Sequence, residues 1–201
     1  MKYIKIMDNE IILASKSEIR KRILENNQIN FIVEHSNIDE DSIKKSLLRE
    51  KASPEIISKN LAELKANKVS QKTPKKLVLG ADSVIDLKGK IISKPVNRDE
   101  ALQILLSLNG QTHQLISSVC ISQNGSMIWN HTEKASLTMR QMSEEDLKIY
   151  LEKISDEKLY AYNVYQIEDE GRFLFSKIEG DKNTIMGLPI KKIKEYLNNH
   201  K

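Results

Sequence analysis

The chain has 201 residues, 39% hydrophobic and 30% charged, so it is long enough to bury a sizeable core in a single domain spanning residues 1–201. The 32 basic and 28 acidic side chains give a net charge of +4, which suits a polyanionic ligand but is too small for a protein that coats nucleic acid. The single cysteine, Cys120, excludes a disulfide scaffold and a cysteine-based zinc site, and it suits a reducing cytoplasm.

The first half of the chain alternates predicted strands and helices. Short apolar or alternating runs predict strands over residues 10–15 and 29–35, with a helical pattern between them. Ser53 and Pro54 predict a helix start, because serine caps the free N–H groups and proline fits the first helical position. The apolar run 75–89 predicts a buried strand that is interrupted by polar residues and closed by a turn.

The second half contains the clearest hairpin in the sequence. Two β-prone runs, 113–122 and 126–140, flank the dipeptide Asn124-Gly125, which favours a two-stranded hairpin. The other predicted elements are a helix with a capping box of Asn97 and Glu100, a helix capped by Ser143, a strand over 171–180 and a final helix over 187–197. The class is therefore α/β, with a mixed, twisted sheet flanked by helices.

Several common sites are absent from the sequence. The two closest glycines, Gly180 and Gly187, are seven residues apart, so no glycine-rich phosphate loop is possible. No two histidines have the spacing of a zinc pair, and no serine lies in a Gly-x-Ser-x-Gly motif. We expect neither a targeting peptide nor a membrane span, because Asp8 and Glu10 interrupt the start and polar residues interrupt the uncharged stretch 101–132.

Polar residues at the predicted strands are the candidate site. Ser15 and Arg20 follow the first strand, where they either grip a phosphate at a helix start or form a cap followed by a solvated basic face. Asp82 lies within an apolar strand, where a carboxylate is costly to bury. It is either a metal-linked general base or a structural carboxylate bound to a neighbouring loop. Lys94 follows the next strand and either neutralises phosphate or is a solvated turn lysine.

A run of three acids, residues 39–41, is the last candidate. Such a run is usually a solvated loop and less often a metal site.

In chain order, a series of short motifs resembles that of the Maf family of nucleotide pyrophosphatases, the septum-formation-inhibitor-like proteins. The resemblance covers nearly the whole chain. The motifs lie at 13–20 (Leu-Ala-Ser-x-Ser), 38–40 (Ile-Asp-Glu), 61–66 (Leu-Ala-x-x-Lys-Ala), 80–83 (Gly-Ala-Asp-Ser), 93–95 (Ser-Lys-Pro), 108–113 (Leu-Asn-Gly-x-Thr-His), and 178–181 with 187–189 (Ile-Glu-Gly-Asp and Gly-Leu-Pro).

The resemblance implies a Maf/ITPase-like two-lobed architecture with a central cleft, a possible homodimer, and hydrolysis of nucleoside triphosphates to a monophosphate and pyrophosphate. It implies a divalent cation, Mg²⁺, Mn²⁺ or Co²⁺, and a housekeeping role on modified or unwanted nucleotides. By the same resemblance, Ser15 and Arg20 grip phosphates, and Lys65 and Lys94 neutralise phosphate oxygens. Glu40 and Asp82 hold or orient the metal and the attacking water, which is what in-line attack on the α-phosphorus requires.

The chain departs from the family pattern at three places. Glu18 and Ile19 replace a proline and an arginine, so one cation is missing, and Ser83 replaces a threonine but keeps the hydroxyl. An ungapped count from Gly187 puts Glu168 at a position that distinguishes members of the family. Members that prefer pyrimidines resemble a pattern with glutamine at this position, and members that prefer 7-methylguanine resemble a pattern with glutamate. A carboxylate accepts two hydrogen bonds from the guanine edge, so Glu168 favours a guanine-type purine.

The base preference nevertheless stays open, because the methylguanine-type relatives place a tryptophan near the position of Ile19, and Trp129 lies elsewhere. Gln166 is two residues from Glu168, which predicts the same face of a strand for both.

Two other functions remain at this point. A non-catalytic nucleotide-binding regulator of cell division would keep the basic residues but could spare Asp82. A nucleic-acid-binding module finds little support in a chain with 5% aromatic residues.

Overall fold

The protein is described by a computed structural model, which covers residues 10–162, 164–168 and 170–200. Its sheet has the strand order β2-β1-β3-β5-β6-β7, and β4 also pairs with β3. Strands β1, β2 and β3 run parallel, whereas the other pairings are antiparallel. The elements are β1 (Ile11–Leu13), α1 (Glu18–Asn26), β2 (Phe31–Val33), α2 (Glu40–Arg49), α3 (Pro54–Ser70), β3 (Val78–Leu87), β4 (Lys90–Ile92), α4 (Arg98–Leu108), β5 (Thr112–Gln123), β6 (Ser126–Met139), α5 (Glu144–Glu152), α6 (Asp156–Tyr162), a 3₁₀ helix (Glu170–Leu174), β7 (Phe175–Glu179), α7 (Lys182–Ile185) and α8 (Ile190–Asn199).

The predicted α/β class and mixed sheet are confirmed. The hairpin of β5 and β6 turns at Asn124 and Gly125, which both have positive φ angles as the Asn-Gly signal requires. The helix caps also form, since the side chains of Ser53, Asn97 and Ser143 each accept a backbone N–H three residues later.

Several local predictions need correction. The strand predicted over 171–180 forms only over Phe175–Glu179, after a 3₁₀ helix. Strand β3 runs without interruption through its polar residues, because β5 pairs with it along its length. The capping box at Asn97 is incomplete, since the Glu100 carboxylate accepts from the N–H of Val96 instead. The acids at 39–41 are not a loop, because the Asp39 side chain accepts from Ser42 N and Glu40 opens α2.

The sheet is covered on both faces. Residues that alternate along β1 and β3 pack on opposite sides: Ile12 and Val78 belong to a cluster with α3, whereas Leu13 and Leu79 belong to one with α8. A third cluster joins the far ends of β5 and β6 to α4 and α5. Among the residues that the structure describes, no helix combines the length and the apolar character that crossing a membrane requires.

His113 is a buried titratable group in the third cluster. It is 1% exposed, its Nε2 lies 2.7 Å from the Tyr165 hydroxyl, and its Nδ1 has no hydrogen-bond partner in the described part of the chain. Burial lowers the pKa of His113 from 6.5 to about 4, because the protonated ring would lose its hydration. The neutral ring is therefore part of the native core.

We expect His113 to make the protein less stable in mild acid. The unfolded chain binds the proton near pH 6.5 and the folded chain only near pH 4, so the contribution is complete above pH 6.5 and is lost as the pH falls towards 4. It amounts to about 3 kcal/mol. Urea unfolding of the wild type and of His113→Gln, which does not titrate, should give different pH slopes across this window. Equal slopes would remove His113 as the cause.

Candidate functional site

An opening in the sheet edge lies at the centre of the candidate site. One edge of β3 is occupied by β5 along residues 78–86, so β1 and β4 share the other edge. Strand β1 pairs only as far as Leu79, and β4 begins to pair at Ile85. Residues 80–84 therefore face an edge with no strand partner among the described residues, and their polar groups are available to side chains from elsewhere.

Gly80 allows helix α3 to approach this part of β3 closely. A Cβ atom at Gly80 would collide with the carbonyl oxygen of Ala62 and would lie 2.8 Å from the backbone nitrogen of Ala66. The glycine of the Gly-Ala-Asp-Ser motif is thus required for packing, not for an unusual φ angle. The contact sets α3 against the strand at the turn that carries Lys65.

Lys65 bridges two carboxylates. Its Nζ lies 2.8 Å from Oδ1 of Asp82 and 2.9 Å from Oε2 of Glu40. Lys65 and Asp82 are 6% and 5% exposed, so this pair is shielded from water, whereas the Glu40 side chain is 41% exposed. The prediction that placed Lys65, Glu40 and Asp82 in one site is consistent with this geometry.

The second oxygen of Asp82, Oδ2, is buried and has no hydrogen-bond partner among the described residues. A buried carboxylate oxygen without a partner is costly, so Oδ2 is suited to accept from a water molecule or to bind a cation. Partial burial raises the pKa of Glu40, but the charge and hydrogen bond of Lys65 outweigh it, and the pKa lies below its usual value. Glu40 is therefore a ready anionic ligand.

Arg20 is held at the open edge by four protein acceptors. Its Nε donates to Gly187 O at 3.0 Å, and its Nη1 donates to Ser15 Oγ at 3.1 Å and Ala81 O at 3.0 Å. Its Nη2 donates to Ser83 Oγ at 3.2 Å. Four of the five guanidinium N–H groups thus bind acceptors in the described residues, which leaves one N–H on Nη2 for a ligand. Arg20 is a clamp between distant segments as well as a candidate phosphate ligand.

Lys94 lies within electrostatic range of the same cluster. Partial burial lowers its pKa, although much of the residue is open to solvent. The positive charges of Arg20, Lys44 and Lys65 lower the pKa further, whereas Glu40 raises it. Lys44, on α2, was not predicted as a site residue, and its position one turn after Glu40 on a capped helix was the available signal.

Glu168 lies apart from these contacts. Its carboxylate pairs with Lys182 at 3.3 Å, and it lines a surface cavity of about 520 Å³ together with Tyr165, Gln166 and Arg172. The predicted strand at Glu168 and Gln166 is wrong, since residues 164–168 form an irregular turn between α6 and the 3₁₀ helix. The base-reading role of Glu168 stays a prediction.

The described residues contain no group of three or more His, Cys, Asp and Glu side chains arranged to hold a metal ion. Asp82 and Glu40 provide two carboxylates. Mg²⁺ binds commonly through one or two carboxylates and completes its shell with water and substrate phosphates, so two suffice for a nucleotide-bound cation.

Comparison with known proteins agrees with the resemblance of the motifs. The family model described as "Maf-like protein" matches residues 10–200. "Nucleoside triphosphate pyrophosphatase" of Pelagibacter ubique is 73% identical over 191 residues, covering 95% of this chain and 98% of the relative. "7-methyl-GTP pyrophosphatase" of Bartonella quintana is 40% identical over 185 residues, covering 92% of both chains. The solved Ham1 protein of Staphylococcus aureus has a TM-score of 0.44 at 14% identity, covering 96% of this chain and all of that one.

Proposed function

The chain belongs to the Maf family, and from that premise we propose that it hydrolyses a nucleoside triphosphate to the monophosphate and pyrophosphate. The observation that carries the proposal is that Oδ2 of buried Asp82 has no hydrogen-bond partner in the part of the chain that the structure describes. This oxygen lies beside the bridge of Lys65 and Glu40, in a cluster that includes the charges of Arg20 and Lys94. The names of the relatives support the same reaction.

The reaction forms a bond between a water oxygen and the α-phosphorus and breaks the bond from that phosphorus to the β-phosphate bridge oxygen. Asp82 Oδ2 is the acceptor that can orient the water and take its proton. Lys65 keeps Asp82 and Glu40 side by side despite their like charges. Arg20 and Lys94 supply positive charge for the phosphate oxygens and the departing pyrophosphate, with Ser15 holding Arg20 in place.

A divalent cation fits the donor set, with the Glu40 carboxylate and one lone pair of Asp82 Oδ2 as the protein ligands, which leaves the other lone pair of Oδ2 for the water. When bound, such an ion lowers the pKa of water and neutralises charge on the phosphates. We propose Mg²⁺, Mn²⁺ or Co²⁺ as this ion. We also propose a homodimer and a cytoplasmic location. The buried thiol of Cys120, whose pKa burial raises to about 11, suits a reducing compartment.

Pyrophosphate release from a panel of nucleoside triphosphates, with each metal in turn, tests the proposal. We expect turnover with at least one nucleotide and a requirement for the ion. A nucleotide-binding regulator without catalysis would bind a triphosphate in the same panel and release no pyrophosphate. That outcome would contradict the proposal and favour the regulatory function.

Glu168→Gln tests which base the enzyme prefers. If the carboxylate accepts two hydrogen bonds from a guanine-type base, the glutamine amide would place its N–H₂ donor opposite a donor of that base. Guanine-type triphosphates should then lose about 5- to 150-fold in kcat/KM relative to UTP or dTTP. The ion pair of Glu168 with Lys182 suggests the alternative that Glu168 has only a structural role. Lys182→Ala is the matched control: a purely structural pair predicts that both variants lower all nucleotides equally, which would contradict base reading.

A further inference from the structure

Two serines on neighbouring strands connect the open edge of β3 to helix α7. Ser83 and Ser117 stand opposite each other in the pairing of β3 with β5, and their Oγ atoms are 2.9 Å apart. Ser117 is fully buried, and its hydroxyl donates to the carbonyl oxygen of Thr184 at 2.7 Å. On the other side, Ser83 Oγ accepts from Nη2 of Arg20.

The number of protons fixes the direction of these hydrogen bonds. A serine hydroxyl has one proton to donate and two lone pairs to accept with. The Thr184 carbonyl can only accept, so it takes the proton of Ser117. Ser83 must therefore donate its own proton to Ser117, and one of its two lone pairs accepts from Arg20. The chain runs from Arg20 through Ser83 and Ser117 to Thr184 O, with every proton assigned.

We propose that Ser117 is a positioning residue for Arg20, acting through Ser83; the proposal rests on the proposed triphosphate hydrolysis for its kinetic consequence. Ser117 keeps the Ser83 hydroxyl in the orientation in which its oxygen accepts from Arg20, and it thereby fixes one N–H of Nη2. Because the guanidinium is planar and rigid, fixing that N–H also fixes the direction of the second one, the donor that remains for a phosphate.

The segment that begins with α7 closes against both ends of the guanidinium. Thr184 O terminates the serine chain, and Gly187 O accepts from Nε of Arg20. A Cβ at Gly187 would lie 3.0 Å from Ser83 Oγ and 3.4 Å from Nη2, which is a tight approach, and the φ of +95° at Gly187 also favours glycine. Gly187, the first residue of the Gly-Leu-Pro motif, thus helps to hold Arg20.

A double-mutant cycle tests the proposal. Ser117→Ala should lower kcat/KM about 10-fold, because the Ser83 hydroxyl loses its acceptor and turns away from its fixed orientation. In the Ser83→Ala background the same change should have no further effect, since the connection to Arg20 is already broken. Ser117→Thr keeps the hydroxyl and should therefore have a rate near that of the wild type. If the alanine or threonine variant folds poorly, Ser117→Cys replaces it in the test, because cysteine has nearly the size of serine but is only a weak donor.

Ser122→Ala is the matched control, because Ser122 lies on the same strand, is equally buried and donates a 2.7 Å hydrogen bond to Asn67. It should change thermal stability without changing kcat/KM. A second readout needs no nucleotide: solvent exchange of the Arg20 Nη2 protons, followed by NMR, should accelerate in Ser117→Ala and not in Ser122→Ala.

Unchanged exchange and unchanged kcat/KM in Ser117→Ala would overturn the proposal, as would an equal loss in both backgrounds of the cycle. If the wild type hydrolyses no triphosphate, the proposed function fails. The exchange rate of Arg20 then still decides whether Ser117 positions it.

Discussion

Replacing Asp82 with asparagine should abolish pyrophosphate release while leaving the protein folded. Asparagine has nearly the same shape, but it cannot take a proton and binds a cation weakly, so we expect a loss of about 10²- to 10⁴-fold in kcat. The change at Oδ2 breaks no hydrogen bond of the fold, because none of the described residues bonds to this oxygen. Steady-state kinetics with the best nucleotide of the panel provide the measurement.

Asp86→Asn is the control for Asp82→Asn. Asp86 lies on the same strand beyond the open edge, where β4 pairs with it, and its carboxylate accepts from Gly89 N in the following turn. It should retain wild-type kinetics. Because Asp82→Asn also leaves Lys65 with Glu40 alone, circular dichroism and the melting temperature should be recorded for both variants. Activity of Asp82→Asn within a few-fold of wild type would exclude Asp82 from the reaction.

Arg20→Ala should produce the second largest loss, in catalysis and stability together. Loss of one fixed donor to a developing anion costs about 10²- to 10³-fold. Since a phosphate contact exists in both ground and transition states, KM should rise and kcat should fall. Burial lowers the pKa of Arg20, and the charges of Asp82 and Glu40 oppose this shift. The side chain that Arg20→Ala removes is therefore a partly desolvated cation surrounded by acceptors.

Arg20→Lys should not restore the activity of Arg20→Ala. An ammonium cannot bind Gly187 O, Ala81 O and two serine hydroxyls with the fork that the guanidinium provides. Arg22→Ala, an exposed change on the same helix, should be close to wild type. A lowered melting temperature of Arg20→Ala with wild-type kinetics would reduce Arg20 to a structural clamp.

The parts of the fold that the sequence predicts correctly depend on short-range hydrogen bonds. The caps at Ser53, Asn97 and Ser143 bind a backbone N–H three residues away, and the hairpin turns on two adjacent residues. The sequence does not predict helix α2, because three consecutive acids favour a solvated loop. Asp39 as a cap, followed by Ile43 and Leu47 at helical spacing, could have identified it.

The site is harder to predict because its contacts join distant segments. That Lys65 reaches Asp82 depends on the close approach of α3 at Gly80, which no local pattern reveals. The acceptors around Arg20 come from three places in the chain, 15, 81–83 and 187. A sequence shows that an arginine is available for a phosphate, but only the packed structure shows how many of its donors are already occupied.

The two carboxylates that Lys65 binds lie on elements that are packed to very different extents. Asp82 belongs to a central strand locked against α3, whereas Glu40 belongs to α2, which has no fully buried residue and packs mainly on α3. Local opening costs least where few apolar contacts are lost, so α2 should exchange its amide hydrogens well before β3 does. We therefore expect the Asp82 side of the site to be fixed before a ligand binds and the Glu40 side to adjust to ligands of different size.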